Sequence, residues 1–463
     1  MVLAGVRQLL TVSRFRRSGP GALGRLDLLA TIAIFAVAAV VLLSEASQAS
    51  FEGDEADYIA TSRYFSYLFL ERDPTREEWG DNHWTRTQPP LTRYVLGAWL
   101  AVRGHDLAAL NQPYVSTASS VEVNRRKGRV PDDQALAHAR EPMAVLGAAA
   151  IALLYPLGVL FGGPLAGGAA ALLALSSPFV RYTLVHAWAE PPLACFLTLS
   201  ALLAAIGARR MVAGPRAAEW LGWSLWLGIA LGLACSAKLT GFVGMLATLG
   251  WGVGAALATP TVGARHAVPS CQGAASSAPT RTRRARPLLG WALLSASIGL
   301  ALFVALNPYL WRGPVQGVQA MLRERAEEMA VQQRLWPEYA VLDPRDRPGL
   351  TVAGSMRFGP WAETAASTPI GLAFMGVGLV QLLLLARAHT PPPGGWPAVS
   401  TLLLWLAGYA VAISGGLGLS YPRYFLPTCL LVLPAAGLAV ARAISYQLSA
   451  FSWRLSRVGR ANG

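Results

Sequence analysis

Phe51-Glu52-Gly53-Asp54-Glu55-Ala56-Asp57-Tyr58 follows an uncharged apolar run, Leu28 to Ser44, and places four carboxylates in six positions. If the run crosses a membrane, these acids emerge at the water–lipid boundary on the far side. There a side chain can meet both a lipid phosphate and a soluble molecule. Crowded carboxylates repel one another, which raises the pKa of at least one and suits it to take a proton from a hydroxyl. Taken alone, acids after a span are a solvated loop; the rest of the chain shifts the balance.

The 463 residues are 54% hydrophobic and 14% charged, with a mean hydropathy of +0.41. Soluble domains carry about 25% charged residues, so the composition indicates an all-α polytopic membrane protein. The formal charge of +14 falls between apolar runs. It therefore reads as membrane topology and not as a nucleic-acid face, and no nucleic-acid partner is expected. Four cysteines without a CxxC spacing suggest neither a disulfide framework nor a thiolate metal site. The first run ends in Ser44-Glu45-Ala46-Ser47, which is no clear cleavage site, so it reads as a retained helix.

Uncharged runs cover 28–44, 142–180, 191–208, 220–237, 239–264, 287–311, 364–386, 388–422 and 424–441. A span takes about 17–25 apolar residues. The 142–180 run is too long for one helix and breaks at Gly162-Gly163-Pro164, and the 388–422 run leaves one span near 397–414. The expectation is about ten transmembrane helices in a domain over 28–441, with outer loops at 45–140 and 307–363. Arginines such as Arg14, Arg16, Arg17, Arg209, Arg210, Arg283, Arg284, Arg387, Arg454 and Arg457 then gather in a basic N-terminus (1–27), the segment 209–218, a disordered connector (258–287), the segment 387–396 and a basic tail (442–463). That is the positive-inside pattern with both termini cytoplasmic.

Within 45–140 the pattern predicts an amphipathic helix from Ala56 to Leu70. It also predicts an interfacial helix over Leu91 to Val102, with Arg93, Tyr94 and Trp99 at the headgroup level, and a polar, mobile stretch over 111–139. Within 307–363 a charged helix runs from about Val315 to Gln333. Polar residues at the outer ends of spans are the informative ones, since a charge at the bilayer centre costs at least ~2.5–3.5 kcal/mol. They are Arg140 and Glu141, His186 and Glu190, Lys238 and Arg423. Each can be a snorkelling or helix-ending residue. That account suits Arg140 and Glu141 best and Lys238 least, because its turn is short and apolar on both sides.

Acids and bases on one outer face suit a reaction on a lipid-linked phosphate. The acid deprotonates an acceptor hydroxyl while Lys or Arg stabilises the departing phosphate. On a helix beginning near Asp54, Asp54 and Tyr58 share a face and Glu55 lies about 100° round. The motif Phe51…Asp54-Glu55…Tyr58 resembles the Asp-Glu motif of GT-C glycosyltransferases, especially glycosyltransferase family 39, which includes protein O-mannosyltransferases and the aminoarabinose transferase of lipid A. Gln88-Pro89-Pro90-Leu91, Lys238 with Thr240-Gly241, Asn307-Pro308 and Arg423-Tyr424-Phe425-Leu426-Pro427 are similar to later elements in the same order. The resemblance spans about residues 28–440.

The resemblance implies a polyprenyl-phosphate sugar donor, a protein, glycan or lipid acceptor, and inversion at the anomeric carbon. It implies Asp54 as general base with Glu55 positioning acceptor or donor, although either carboxylate can be the base. Lys238, Arg423 and Arg140 are expected to bind the donor phosphate, and Glu190, His186 and Tyr58 to position acceptor or sugar. Glu190 stands where many members have Asp. Some relatives bind a divalent metal nearby; Asp81 and His83 are candidates, and no metal or other cofactor is assigned. The lumenal repeat domain of the eukaryotic mannosyltransferases has no room in 307–363, which implies a bacterial plasma-membrane type. Two other readings are weighed. A secondary transporter places charges at mid-membrane in two related halves, whereas these lie at span edges; a non-catalytic lipid-binding protein tolerates loss of Asp54. A cysteine placed at Ala275 is expected to be labelled only after the membrane of intact cells is breached, and labelling from outside overturns the ten-span topology.

Overall fold

The computed structural model describes residues 23–115, 120–258 and 282–461. In hydrocarbon every backbone N–H and C=O must be satisfied internally, so apolar runs of spanning length become helices. α1 (Arg25–Ala46) leads into the first long loop, which holds α2 (Gly53–Thr61), α3 (His83–Thr87), α4 (Leu91–Val102) and α5 (Val121–Arg126). The bundle continues with α6 (Asp133–Gly162), α7 (Pro164–Leu175), α8 (Pro178–Val185), α9 (Glu190–Ala213), α10 (Ala217–Ala237), α11 (Phe242–Ala258) and α12 (Thr282–Ala305). The second long loop carries α13 (Pro314–Leu335) and α14 (Asp346–Ser355), and the chain closes with α15 (Ser367–Arg387), α16 (Gly395–Gly416) and α17 (Leu426–Ala461). Among the described residues the only β pairing is an isolated bridge between Ala340 and Leu419.

The protein is a polytopic, helical membrane protein: among the described residues nine helices are long and apolar enough to cross a membrane, or ten if the bent pair α7–α8 is one span. The pair bends by 69° at Ser176-Ser177. The break between α6 and α7 falls where the glycines and proline place it. Gly163 takes φ +86°, a left-handed conformation that favours glycine, and Pro164 opens α7. Burial separates centre from rim: the apolar windows of α6, α9 and α17 are 78%, 78% and 89% buried, against 11% for α1 and 17% for α15. The first three form the spine, and the last two turn their side chains outward.

Two expectations, the helix from Ala56 to Leu70 and the mobile stretch 111–139, are corrected. The helix expected from Ala56 to Leu70 stops at Thr61 and resumes as a π turn over Ser66–Leu70. At the break the Thr61 and Ser62 hydroxyls bond back to the carbonyls of Asp57 and Ile59. α4 has the expected bounds: Leu91, Tyr94, Leu96 and Leu100 pack on the protein, and Trp99 and Arg103 hold Glu141 of α6. The stretch 111–139, read as mobile, holds α5 and the first turns of α6, which the Asp132 side chain caps. The expected tail 442–463 continues α17 as helix to Ala461. The basic segment 1–22 and the connector residues 259–281 lie outside the described residues.

The exit of α1 is tied to the spine by Arg140 on α6. Its guanidinium donates to Glu55 at 2.8 and 2.6 Å and to the carbonyls of Ala46, Ala49 and Ser50 at 3.2, 2.7 and 2.7 Å. Glu55 also accepts the N–H of Ala187 at 2.9 Å and of Glu52 at 3.1 Å. Glu55 is fully buried and Arg140 is 3% exposed. Removing one partner of such a pair strands a charge, at a cost of about 3–5 kcal/mol. Glu55→Gln is therefore expected to lower the thermal midpoint of the purified protein sharply, while Glu52→Gln leaves it close to wild type; equal midpoints would show that the pair is not structural.

Candidate active site

α2 carries the acidic stretch, and its register decides what each acid meets. Asp54, Asp57 and Tyr58 fall on one face, at i, i+3 and i+4, and line a cavity of about 420 Å³. Glu55 falls on the opposite, buried side. The remaining walls come from His83, Trp84 and Thr87 of α3, Gln88-Pro89 after it, Glu190 at the start of α9, the Lys238–Thr240 turn, and Arg423-Tyr424 before α17. Leu322, Arg325, Glu328, Met329 and Gln332, one face of α13, roof it, and Tyr409, Ala412 and Ile413 of α16 give it an apolar flank.

Charge in this cavity is matched almost group for group. Arg423 pairs with Asp54 at 2.5 Å and approaches Glu190 to 3.9 Å. Lys238 pairs with Glu190 at 2.5 Å, and Arg325 with Glu328 at 2.7 Å. Aromatic rings seat the cations: Arg423 lies 5.0 Å from the Trp188 ring centre and Lys238 5.2 Å from that of Tyr424. The Lys238 turn is tight because of Gly241. A side chain there would press within 2.4 Å of the Ala234 backbone, so the turn folds flat on α10 and aims Lys238 at Glu190.

The acids on α2 have opposite characters. The Arg423 guanidinium beside Asp54 holds its carboxyl below the usual range. Burial pushes Asp57 up to about 7, against the hydrogen bond that it accepts from the Tyr114 N–H at 2.7 Å. Burial likewise pushes the Tyr58 phenol upward, so it stays protonated at neutral pH.

Five expected site residues thus come together: Asp54, Tyr58, Glu190, Lys238 and Arg423. Three do not. Glu55 and Arg140 spend themselves on each other and on backbone beneath the α1–α2 turn, so neither carboxylate nor guanidinium opens to the cavity. His186 is fully buried, its ring nitrogens set against the carbonyls of Tyr182 at 2.8 Å and Ser50 at 3.2 Å. Asp81 and His83 do not converge on a metal position: Asp81 meets Arg86 and the Tyr309 hydroxyl, and His83 faces Glu324 of α13. Among the described residues no group of three His, Cys, Asp or Glu side chains could hold a metal ion.

Sequence reasoning passed over Asp57 and the whole inner face of α13. The α13 face had a legible signal, since 322, 325, 329 and 332 recur at helical spacing. Asp57 had none, because its merit is that no cation reaches it. Arg93 is a further supporting residue, 1% exposed, which donates to the Trp84 carbonyl and to the Gln88 side chain at 2.6 and 3.0 Å and so fixes the cavity rim.

Residues 104–257 match the family model described as dolichyl-phosphate-mannose-protein mannosyltransferase. In fold the chain is similar to ArnT from Cupriavidus metallidurans bound to undecaprenyl phosphate, at 17% identity and TM-score 0.51, covering 92% of this chain and 63% of that one. Apo ArnT gives 17% and 0.51, with 90% and 62% covered. The archaeal oligosaccharyltransferase AglB from Archaeoglobus fulgidus, in complex with an inhibitory peptide and a dolichol-phosphate, gives 16% and 0.48, with 91% and 51% covered. This chain spans less than two thirds of the ArnT length. No curated protein sequence matches it. The resemblance carried by the sequence motifs is borne out by the family match and by the shared ArnT-like fold.

The raised pKa of Asp57 has a signed consequence. An acid whose folded pKa lies above its unfolded value contributes stability at low pH that is lost as pH rises toward the folded value, here from about 4 to about 7. Asp57→Asn removes that loss. The variant is expected to melt above wild type at pH 8 and to lose the advantage by pH 5, as read by intrinsic-fluorescence melting across pH; parallel curves would place Asp57 in an ordinary aqueous setting.

Proposed function

We propose that this protein transfers a sugar from a polyprenyl-phosphate-linked donor to an acceptor hydroxyl, with inversion, at the outer face of a bacterial plasma membrane with both termini cytoplasmic. The observation that carries the reading is the cavity in which Asp54, Glu190, Lys238 and Arg423 meet at one end of the spanning helices. Two cations side by side, each held by a carboxylate, form a site for an anion that can compete for them. A lipid-linked phosphate has the charge to do so and the tail to reach a cavity whose flank is apolar. The undecaprenyl phosphate bound to the similar ArnT points the same way.

In this mechanism the phosphate takes Arg423 and Lys238 from Asp54 and Glu190. Freed of its cation, Asp54 becomes more basic while the acceptor arrives. The acceptor oxygen then attacks the anomeric carbon from the face opposite the phosphate. The new C–O bond forms as the bond to the phosphate oxygen breaks, and the hydroxyl proton passes to Asp54. Polyprenyl phosphate leaves with its charge held by the two cations. Glu190 holds Lys238 in readiness, and Tyr58, as a protonated phenol on the same face of α2, offers a hydrogen bond. Glu55, Arg140 and His186 act by holding α2 and the Ala187–Glu190 segment in place.

Turnover of a polyprenyl-phosphate sugar in liposomes tests this reading. Lys238→Met and Arg423→Met are expected to raise the donor KM or lower kcat, and unchanged kinetics in both would remove the phosphate assignment. Asp54→Asn is expected to lose 10²–10⁴-fold in transfer, about what a general base contributes. It should also bind polyprenyl phosphate at least as tightly as wild type, since its carboxylate no longer competes for Arg423. Near wild-type transfer by Asp54→Asn would sink the mechanism.

A further inference from the structure

The cavity holds two hydrogen-bond acceptors that the protein does not satisfy, and they face one neighbourhood. Of its four lining carboxylates, Asp54, Glu190 and Glu328 each pair with a cation. Among the described residues Asp57 pairs with none: Oδ1 accepts the Tyr114 N–H at 2.7 Å, and no described donor reaches Oδ2. Across the cavity a relay fixes Gln332. Arg325 donates to the Tyr424 hydroxyl at 2.9 Å and to Glu328 at 2.7 Å, and Glu328 accepts Gln332 Nε2 at 3.1 Å. The amide cannot flip, because its oxygen would then meet the Glu328 carboxylate. Gln332 Oε1 is consequently turned away from Glu328, buried and without a partner. Asp57, Glu328 and Gln332 line the one cavity.

Lys238, Arg325 and Arg423, the lysine and arginines of the lining, are all engaged. A group that enters must therefore bring its own donors to Gln332 Oε1 and to Asp57 Oδ2 in its ionised form. Thr240 Oγ1 on the lining is also buried and unpartnered; as a hydroxyl it can give or accept. A polyhydroxylated ring or an acceptor hydroxyl meets this demand, whereas a phosphate, which offers acceptors, does not. Resting on the glycosyl-transfer reading, we propose that Asp57 and Gln332 are specificity-determining residues that read substrate hydroxyl groups, on the wall facing the Lys238–Arg423 phosphate site.

The hydroxyls can belong to the transferred sugar or to the acceptor, and the experiment separates the two. Asp57→Asn keeps the bond to Tyr114 but presents a donor to the cavity; Gln332→Met removes the acceptor. Binding of sugarless undecaprenyl phosphate reports on fold and phosphate site, and is expected to match wild type in both variants. Transfer from a panel of polyprenyl-phosphate pentoses and hexoses is expected to fall at least roughly tenfold in kcat/KM, the loss of one hydrogen bond to a charged group. If the sugar is read, hydrolysis of donor by water falls in step, and one deoxy donor is as poor with wild type as with the variant. If the acceptor is read, hydrolysis is unchanged and the acceptor KM rises. Wild-type kinetics in both arms, or an equal loss with the sugarless lipid, overturns the proposal while leaving glycosyl transfer standing. A wild-type protein that binds the sugarless lipid but turns over no sugar donor overturns both.

Discussion

The Arg140 guanidinium is the constraint on which the rest of the site depends. Arginine has five N–H donors in a rigid fork, and here all five are spent: two on Glu55 and three on the carbonyls that end α1 and begin the turn into α2. Those carbonyls belong to a helix terminus that leaves the membrane without continuing as helix, and unsatisfied they would be costly. One buried side chain near the start of α6 thus settles the exit of α1, the start of α2 and, through Glu55 and Ala187, the segment leading into α9. With these fixed, the opposite face of α2 has one orientation, and Asp54 meets Arg423.

That geometry explains how far the sequence could be read. Apolar run length and the Gly-Gly-Pro break are local properties, and the spanning helices followed from them. Lys238 and Arg423 were legible because each is the lone charge at a span edge, and a lone charge near lipid needs a partner. The division of labour between adjacent acids was not legible. Asp54 and Glu55 are neighbours of equal chemistry, and only the face each takes on α2, set by a partner 85 residues on, separates a cavity carboxylate from a buried clasp. The packing partners of α4 were not legible for a related reason. An amphipathic helix with aromatic and basic residues is as suited to a protein groove as to a membrane interface, and Glu141 and the α2 face were there to receive it. Asp57 was passed over because a local pattern of acids does not show which of them lacks a cation.

The cavity combines stability with readiness to act. Buried ions are tolerated when paired, and pairing Arg423 with Asp54 and Lys238 with Glu190 allows charged groups to sit at the ends of spanning helices before any ligand arrives. The same pairing keeps Asp54 ionised and weakly basic. In the proposed mechanism a substrate phosphate replaces a carboxylate as partner instead of entering an empty cationic site, so binding and activation of the acid become one exchange. α13 closes the other side with a network of its own, joined to α3 through Glu324, Arg86 and His83.

The order in which the chain is made gives the Asp54–Arg423 pair a history. The Glu55–Arg140 clasp closes over 85 residues, as soon as α6 follows α1 into the membrane. Asp54, its sequence neighbour, waits for a partner roughly 370 residues downstream, which at about 5–20 residues per second is on the order of 20–70 s. Through that interval one acid is locked and the other stands exposed at the lipid boundary. The cavity is therefore the last thing the nascent protein acquires: α2 is set early by Arg140, but Asp54 has no Arg423 to meet until the chain is almost finished. A ribosome that stops short of Arg423 and α17 leaves behind a bundle that lacks one of its three spine helices and an Asp54 without its cation.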